Sequence, residues 1–452
     1  MTNVPASHET VDSRTTGVSR SAFRRVLAGS TAGAVLEWYD FALYGILAAT
    51  VLGPLFFPGG NGFAQLLLAL ATQGLGFVAR PIGGIVFGHL GDRLGRKPML
   101  VTTFLLLGLS TSAIGLLPTY SQVGIGATIS LVVLRLIQGF ALGGEFGAAV
   151  LMVSEYGSPK RRGFWSAWPQ AGAPLGTVLA TAVVGGIALI VPDSAFDQWG
   201  WRVGFLFAIP LLVIGFWIRR RIDESPVFQE AQARASAKTV RERSSILETL
   251  AHPGPVLRGL GVRLGENVAF YVYTVFVVAY ATKTFGYDKS DVLLAVAIGS
   301  LLQFAGMLAG GHWSDRVGRR TAMLVPALGL AVWAPVFFAI VQADALPLLY
   351  LGVGVGAALH GLLAGPEAAW IAELFPTRRR FAGASLVFQG SSIIAGAPAP
   401  LIAVWLAEKQ GPTAVVLYLV GTIAVTVVAL LLSAETRGAD LNSGALGVDG
   451  HK

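Results

Sequence analysis

Cysteine is absent from the 452-residue chain, which excludes disulfides, thiolate metal sites and a cysteine nucleophile. Charge is scarce as well: 13% of residues are Asp, Glu, Lys or Arg, about half the roughly 25% usual in a soluble domain. The six His fall at no ligand spacing such as HxxxH, so no metal site and no cofactor are expected. There is no P-loop, no Ser/His/Asp constellation and no large polar domain, which makes an enzyme the weakest reading. The net charge of +8 gathers on no single basic face, so nucleic acid is not an expected partner. Residues Met1 to Arg20 are polar and Ser/Thr-rich without an apolar core; they read as a disordered tail and not as a signal peptide.

What the chain does have is apolar length. Hydrophobic residues make up 54% and the mean hydropathy is +0.65, so a bilayer is the expected solvent. Stretches such as Ala64 to Val78, Leu100 to Leu117 and Ala414 to Leu432 each approach the roughly 20 residues that span hydrocarbon. The pattern places about twelve spans, at 24–50, 62–90, 98–118, 124–155, 163–191, 202–220, 256–283, 290–313, 320–341, 345–373, 381–407 and 412–433. Basic residues fall in alternate loops: Arg93, Arg96, Lys97 and Lys160 to Arg162, then Arg316, Arg319, Arg320 and Arg378 to Arg380. By the positive-inside rule these loops and both termini are cytoplasmic.

The sequence also repeats itself. Gly88-His89-Leu90-Gly91-Asp92-Arg93-Leu94-Gly95-Arg96-Lys97 returns about half the chain later as Gly311-His312-Trp313-Ser314-Asp315-Arg316-Val317-Gly318-Arg319-Arg320. Weaker echoes pair Glu155 with Glu373 and Glu224-Ser225 with Glu435-Thr436. The expected organisation is therefore a tail over 1–22, a six-helix bundle over 23–220, a polar linker over 221–255, a second six-helix bundle over 256–433 and a tail over 434–452. This is an all-α membrane protein of two pseudo-symmetric bundles, the architecture of alternating-access carriers.

Ionisable residues inside spans are the sharpest chemical signal, since each costs roughly 2.5 to 3.5 kcal/mol on insertion scales unless it is paired or hydrated. They are Glu37, Asp40, Arg80, Arg135, Glu145, Arg263, Glu266 and Glu367. Arg80 precedes Asp92 by a dozen residues, roughly 18 Å along a helix, and so lies well inside the bilayer. An acid beside an Arg is a proton site, because protonating the acid releases the Arg. Asp40 with Arg135 is the preferred pair, with Glu37 and Glu266 as further candidates; the alternative is a permanent staple between spans 1 and 4. Arg263 and Glu266, one turn apart, either play a similar part or neutralise each other. In the repeated loops, Asp92, Arg93 and Arg96, and Asp315, Arg316 and Arg319, form either a latch between the halves or a solvated topology signal. Glycines at four-residue spacing, such as Gly139, Gly143 and Gly147, permit close helix approach. Arg80, Gln138, Glu145, Arg263 and Asn267, with the aromatics Tyr39 and Tyr271, are the candidate substrate contacts; Trp168, Phe270 and Tyr273 are further aromatics that either line the cavity or pack.

Glu37-Trp38-Tyr39-Asp40-Phe41, the paired GHxxDRxGR loops, Arg135-Leu136-Ile137-Gln138-Gly139 running to Gly143-Gly144-Glu145, and Glu373-Leu374-Phe375-Pro376-Thr377-Arg378 together resemble the metabolite:proton symporter branch of the major facilitator superfamily. The resemblance covers nearly all of 24–438. It implies proton-driven import of a small polar metabolite such as shikimate, α-ketoglutarate, citrate, proline or glycine betaine, and His252-Pro253 with Arg263-Leu264-Gly265-Glu266 is most similar to the shikimate-type members. It also implies proton coupling at Asp40 and Arg135, and a gate state stabilised by Asp92 and Asp315. Trp313-Ser314 departs from the pattern of the first loop, and the lack of a coiled coil after Gly438 argues against an osmosensor. The expected partners are the lipid bilayer of a bacterial inner membrane, protons and a small organic acid or zwitterion, with the chain a monomer. Competing readings are a proton-driven exporter, whose span 5 signature Gly172-Ala173-Pro174 partly matches, and a non-transporting membrane sensor.

Overall fold

The computed structural model describes residues 20–94, 96–143, 153, 159–220, 245–343 and 345–439. Among them there is no strand. Eleven helices are long and apolar enough to cross a membrane, and the shorter apolar helix Val101–Leu116 makes a twelfth. In chain order they are α1 (Phe23–Phe56), α2 (Gly62–Phe87), α3 (Val101–Leu116), α4 (Ile125–Gly143), α5 (Arg162–Ile190), α6 (Asp193–Ile218), α7 (Pro253–Phe285), α8 (Lys289–Val317), α9 (Arg319–Gln342), α10 (Leu346–Leu374), α11 (Ala382–Gln410) and α12 (Pro412–Leu431).

The outer faces are apolar because lipid is their solvent: Ile190 is 84% exposed, Val332 72% and Leu116 70%. Polar side chains turn inward instead. The packing of the first six helices recurs in the last six. α1 lies against α5 as α7 lies against α11, α2 against α4 as α8 against α10, and α3 against α4 and α6 as α9 against α10 and α12. Between the two sets, α5 runs along α8 and α2 meets α11.

Several boundaries differ from the sequence pattern, each for a local reason. α1 continues past residue 50 to Phe56 through a π-helical turn, Ala48–Leu52. This wider turn precedes Pro54, whose missing N–H leaves a normal helical bond unmade. Its counterpart α7 carries the same device at Val272–Phe276, and α11 has one at Ser392–Gly396 just before Pro398. α6 begins at Asp193 and not near residue 202, because Pro192 leads in and Asp193 suits the positive end of a helix. α10 is interrupted at Gly365-Pro366, so that Glu367 opens a separate helix, Glu367–Leu374. In the expected linker, Ser245–Leu250 is helical and lies against the start of α11, while 221–244 lie outside the described residues.

α2 and α4 approach closely because glycine faces backbone. A Cβ on Gly139 would collide with the Gly76 carbonyl, one on Gly143 with the Arg80 carbonyl, and one on Gly83 with the Phe140 carbonyl. Gly147, next in the stripe, lies outside the described residues. We expect Gly139→Leu to separate α2 from α4 and destabilise the protein by about 1–3 kcal/mol or more. The control Gly421→Ala on α12 meets nothing within 4 Å and should shift stability by no more than about 0.5 kcal/mol. Thermal unfolding of the two purified variants in detergent checks the contrast.

Candidate functional site

At mid-height the two halves enclose a small cavity of about 20 Å³, room for roughly one water. Its walls come from α1, α2, α7 and α11, and its polar groups are Glu37, Arg80, Arg263, Asn267, Gln389 and Ser392. Arg80 pairs with Glu37 at 3.3 Å, and its guanidinium lies over the Phe77 ring at 4.6 Å. Across the cavity the Arg263 guanidinium lies 4.5 Å from the Phe388 ring centre. Its Nε donates to Ser391 Oγ at 2.8 Å and its Nη1 to Glu367 Oε2 at 2.6 Å. Aromatic contacts between α1 and α7 close the space: Trp38 on Phe270 at 4.9 Å and Phe41 on Tyr271 at 6.3 Å. Two guanidiniums and one carboxylate facing one cavity suit an acid or a zwitterion.

Of the candidate substrate contacts, Arg80, Arg263, Asn267 and Tyr271 line this cavity, and so does Glu37. Tyr39 does not reach it. The Tyr39 hydroxyl donates to the Gly204 carbonyl of α6 at 2.5 Å, because residue 39 sits on the face of α1 turned into its own bundle. Gln138 is also elsewhere, bound to Asp40. Glu145 lies outside the described residues. Of the further aromatics, Phe270 closes the space, Trp168 meets Phe304 of α8, and Tyr273 stacks edge-on against Phe337 of α9.

One turn along α1 from Glu37, Asp40 is fully buried and separate from the cavity lining. Its Oδ2 accepts from Arg135 Nη1 at 2.8 Å, and its Oδ1 accepts from Thr111 Oγ1 and Gln138 Nε2, each at 2.8 Å. The Arg135 guanidinium stacks 3.6 Å from the Tyr44 ring centre, leaving its Nε and Nη2 without partners. Sequence reasoning paired Asp40 with Arg135 but missed Thr111, since a lone Thr in an apolar span bonds its own backbone as readily as a neighbour.

The second half holds a larger cluster. Arg263 reaches both Glu367, at 2.6 Å, and Glu266, at 3.6 Å. Glu266 also accepts from Asn267 Nδ2 at 3.1 Å and faces His360 Nε2 at 3.1 Å. His360, 1% exposed in α10, was passed over because histidines were weighed only for metal spacing; its depth in an apolar span was the available signal.

The end of the molecule that carries the basic loops is closed by a network crossing the halves. Asp315, in the last turn of α8, accepts from the Gly163 and Phe164 backbone N–H groups at 2.8 and 2.9 Å, capping α5 of the other half. Arg319 binds Asp315 at 2.7 Å and Glu373 at 3.2 Å. Glu373 also accepts from Arg162 Nη1 at 3.0 Å and Thr436 Oγ1 at 2.7 Å. Glu435 accepts from the Arg319 and Arg320 N–H groups at 2.8 and 3.1 Å, and Thr436 bonds Glu373, so 434–436, expected as tail, are docked. Arg316 is exposed, and its carbonyl accepts from Arg437. The side chains of Asp92, Arg93 and Arg96 lie outside the described ones. At the opposite end, α2, α7 and α11 border a recess of about 600 Å³ that includes Lys283 and Glu408.

Comparison with known proteins places this geometry. The family model described as "Sugar (and other) transporter" matches residues 26–444. The inner membrane metabolite transport protein YhjE of Escherichia coli is 37% identical over 425 residues, covering 91% of this chain and 94% of that protein. The shikimate transporter of Escherichia coli is 36% identical, covering 85% and 88%. The proline/betaine transporter of Salmonella typhimurium is 33% identical, covering 89% and 81%. Among solved structures, the major facilitator superfamily proton:xylose symporter XylE superposes with a TM-score of 0.73 over 93% of this chain and 98% of that one, at 19% identity, a likeness of fold. The chain therefore belongs to the sugar (and other) transporter family, and is a multi-pass membrane transporter and not an enzyme.

Proposed function

We propose that this transporter imports a small organic acid or zwitterion together with a proton, by alternating access between a bundle over 23–220 and a bundle over 256–433. The observation that carries the reading is the mid-height cavity, where Glu37 and Arg80 from the first half face Arg263 and Asn267 from the second. A substrate carboxylate at either guanidinium and an ammonium at Glu37 would draw the two halves together. Relatives named for shikimate and for proline/betaine carry the same carboxylate chemistry and support this class.

Asp40 supplies the coupling. While ionised it holds Arg135 of α4, Thr111 of α3 and Gln138 of α4 to α1. Protonation weakens the bond to Arg135 and frees α1 to shift against α4. Because Glu37 is one turn away on the same helix and lines the cavity, a shift of α1 moves a cavity wall. No cofactor enters the cycle; the proton gradient drives it. With the basic loops and both termini cytoplasmic, the network around Glu373 is a closed inner gate, and the recess near Lys283 is an outer vestibule.

The direct test is uptake into proteoliposomes under an inward proton gradient, with labelled shikimate, α-ketoglutarate, citrate, proline and glycine betaine. Accumulation of one compound that an ionophore collapses establishes symport, whereas expulsion under the reversed gradient establishes export. Asp40→Asn is expected to abolish accumulation, by at least about tenfold, while exchange of substrate across the membrane persists; normal accumulation would remove Asp40 from the mechanism. Because the chain has no cysteine, a Gln389→Cys reporter in the cavity is the sole thiol. Adding Glu373→Gln removes the charge that holds Arg162 and Arg319. Labelling of the reporter by an impermeant maleimide from the basic-loop side should then rise several-fold, and an unchanged rate would show that the network does not control access.

A further inference from the structure

Between the two ends of the helices, the described residues bury four carboxylates, Glu37, Asp40, Glu266 and Glu367, but three guanidiniums, Arg80, Arg135 and Arg263. The first half balances, with Glu37 on Arg80 and Asp40 on Arg135. The second half does not, because Arg263 alone serves both Glu367 and Glu266. An unmatched carboxylate is too costly to persist in an interior without water, and two carboxylates around one cation do not both stay ionised. The remaining partner is His360, whose Nε2 lies 3.1 Å from Glu266 Oε1 and whose Nδ1 lies 2.6 Å from the Gln303 side-chain amide.

Two unpartnered atoms mark where a proton would sit. Gln303 Oε1 is buried without a hydrogen-bond partner, and so is Glu367 Oε1. If the Gln303 amide is turned over, its oxygen meets His360 Nδ1 and accepts a hydrogen bond from it. His360 then donates from both nitrogens, to Gln303 and to Glu266, as an imidazolium. A proton placed on Glu367 instead neutralises that carboxyl beside Arg263. Either placement brings the cluster to zero net charge.

We infer that Arg263, Glu266, Glu367 and His360 form a second proton-binding site, which takes up one proton shared between the His360 imidazole and the Glu367 carboxyl. Its existence rests on charge and geometry alone; its use in transport rests on the symport reading above. The step is a proton transfer from water to nitrogen or oxygen and back, with no change of electrons. The groups facing the cluster are few. α8 contributes Gln303 and α11 Ser391, both uncharged, while α7 adds Asn267 and Tyr271. Across the cavity stand Glu37 and Arg80, already paired at 3.3 Å. Because Arg263 also lines the cavity, a substrate carboxylate there draws the guanidinium away from Glu367 and favours the protonated cluster. An anionic substrate and this second proton thus bind together.

The test needs no substrate. Purified full-length protein carrying Asp40→Asn, which silences the first site, is titrated from about pH 9 to about pH 5, a window that spans His and lies above unperturbed carboxylates. Proton uptake and the infrared difference spectrum are recorded together. Adding Glu367→Gln balances the cluster without a proton, so uptake should fall by one proton per chain. Adding His360→Gln instead should leave uptake unchanged but lose any imidazolium signal and strengthen the carboxylic acid band. Uptake by a folded Glu367→Gln protein equal to its parent overturns the proposal. If that variant does not fold, a His360→Gln spectrum identical to its parent overturns it as well. Failure of the symport reading would appear separately, as no gradient-driven accumulation of any of the compounds by the unsubstituted protein in proteoliposomes.

Discussion

The structure depends on one constraint: a charge held between the ends of these helices must meet an opposite charge on another helix. Three of the four carboxylates that the described residues bury at mid-height obey it, Glu37 through Arg80 of α2, Asp40 through Arg135 of α4, and Glu367 through Arg263 of α7, while Glu266 meets Arg263 on its own helix and His360 of α10. Removing one partner of such a pair costs about 3–5 kcal/mol, because the other charge is left in a medium that cannot solvate it. Charges therefore decide which helices stay together and where a proton can change that decision. Packing accompanies the pairing: the glycine faces of α2 and α4 bring these backbones close, and Arg80 and Arg135 each reach a carboxylate of α1.

The two halves share a plan but use their charges differently. In the first half the acid that faces the cavity, Glu37, and the acid that is sealed, Asp40, each have a private guanidinium. In the second half one guanidinium is shared and a histidine completes the set. The basic-loop end shows the same asymmetry of use. Asp315, Arg319 and Glu373 tie the second half to the N-terminal turn of α5 and to the chain after α12. The cavity is thus shut at one end by ions and hydrogen bonds and at mid-height by the rings of Trp38, Phe41, Phe270 and Tyr271. Ionic closure is sensitive to charge and salt, whereas ring contacts between apolar faces are not.

Much of the fold was legible because a bilayer leaves few alternatives: about twelve apolar runs in a lipid solvent become twelve helices. Boundaries were less legible where a single proline acted, as at Pro54, Pro192 and Pro366, since apolar periodicity does not register a π-helical turn or a broken helix. Asp40 with Arg135 was legible because both are costly in a span and lie on neighbouring helices of the repeat. Tyr39 was misplaced because residues 37, 39 and 40 differ by facing, and facing depends on which neighbour each side of α1 meets.

By itself the sequence determined the solvent, the number of spans, the internal repeat, the charges that need partners and, through its motifs, the family. Those follow from composition and order along the chain, which the hydrophobic effect and the cost of buried charge read directly. Only the tertiary structure decided that Glu37 opens on the cavity while Asp40 is sealed, that Arg263 chooses Glu367 over its own-helix neighbour Glu266, and that His360 sits between Gln303 and Glu266. Those choices turn on distances of a few ångströms between residues 57 to 104 positions apart on different helices, and helix rotation and close packing set them.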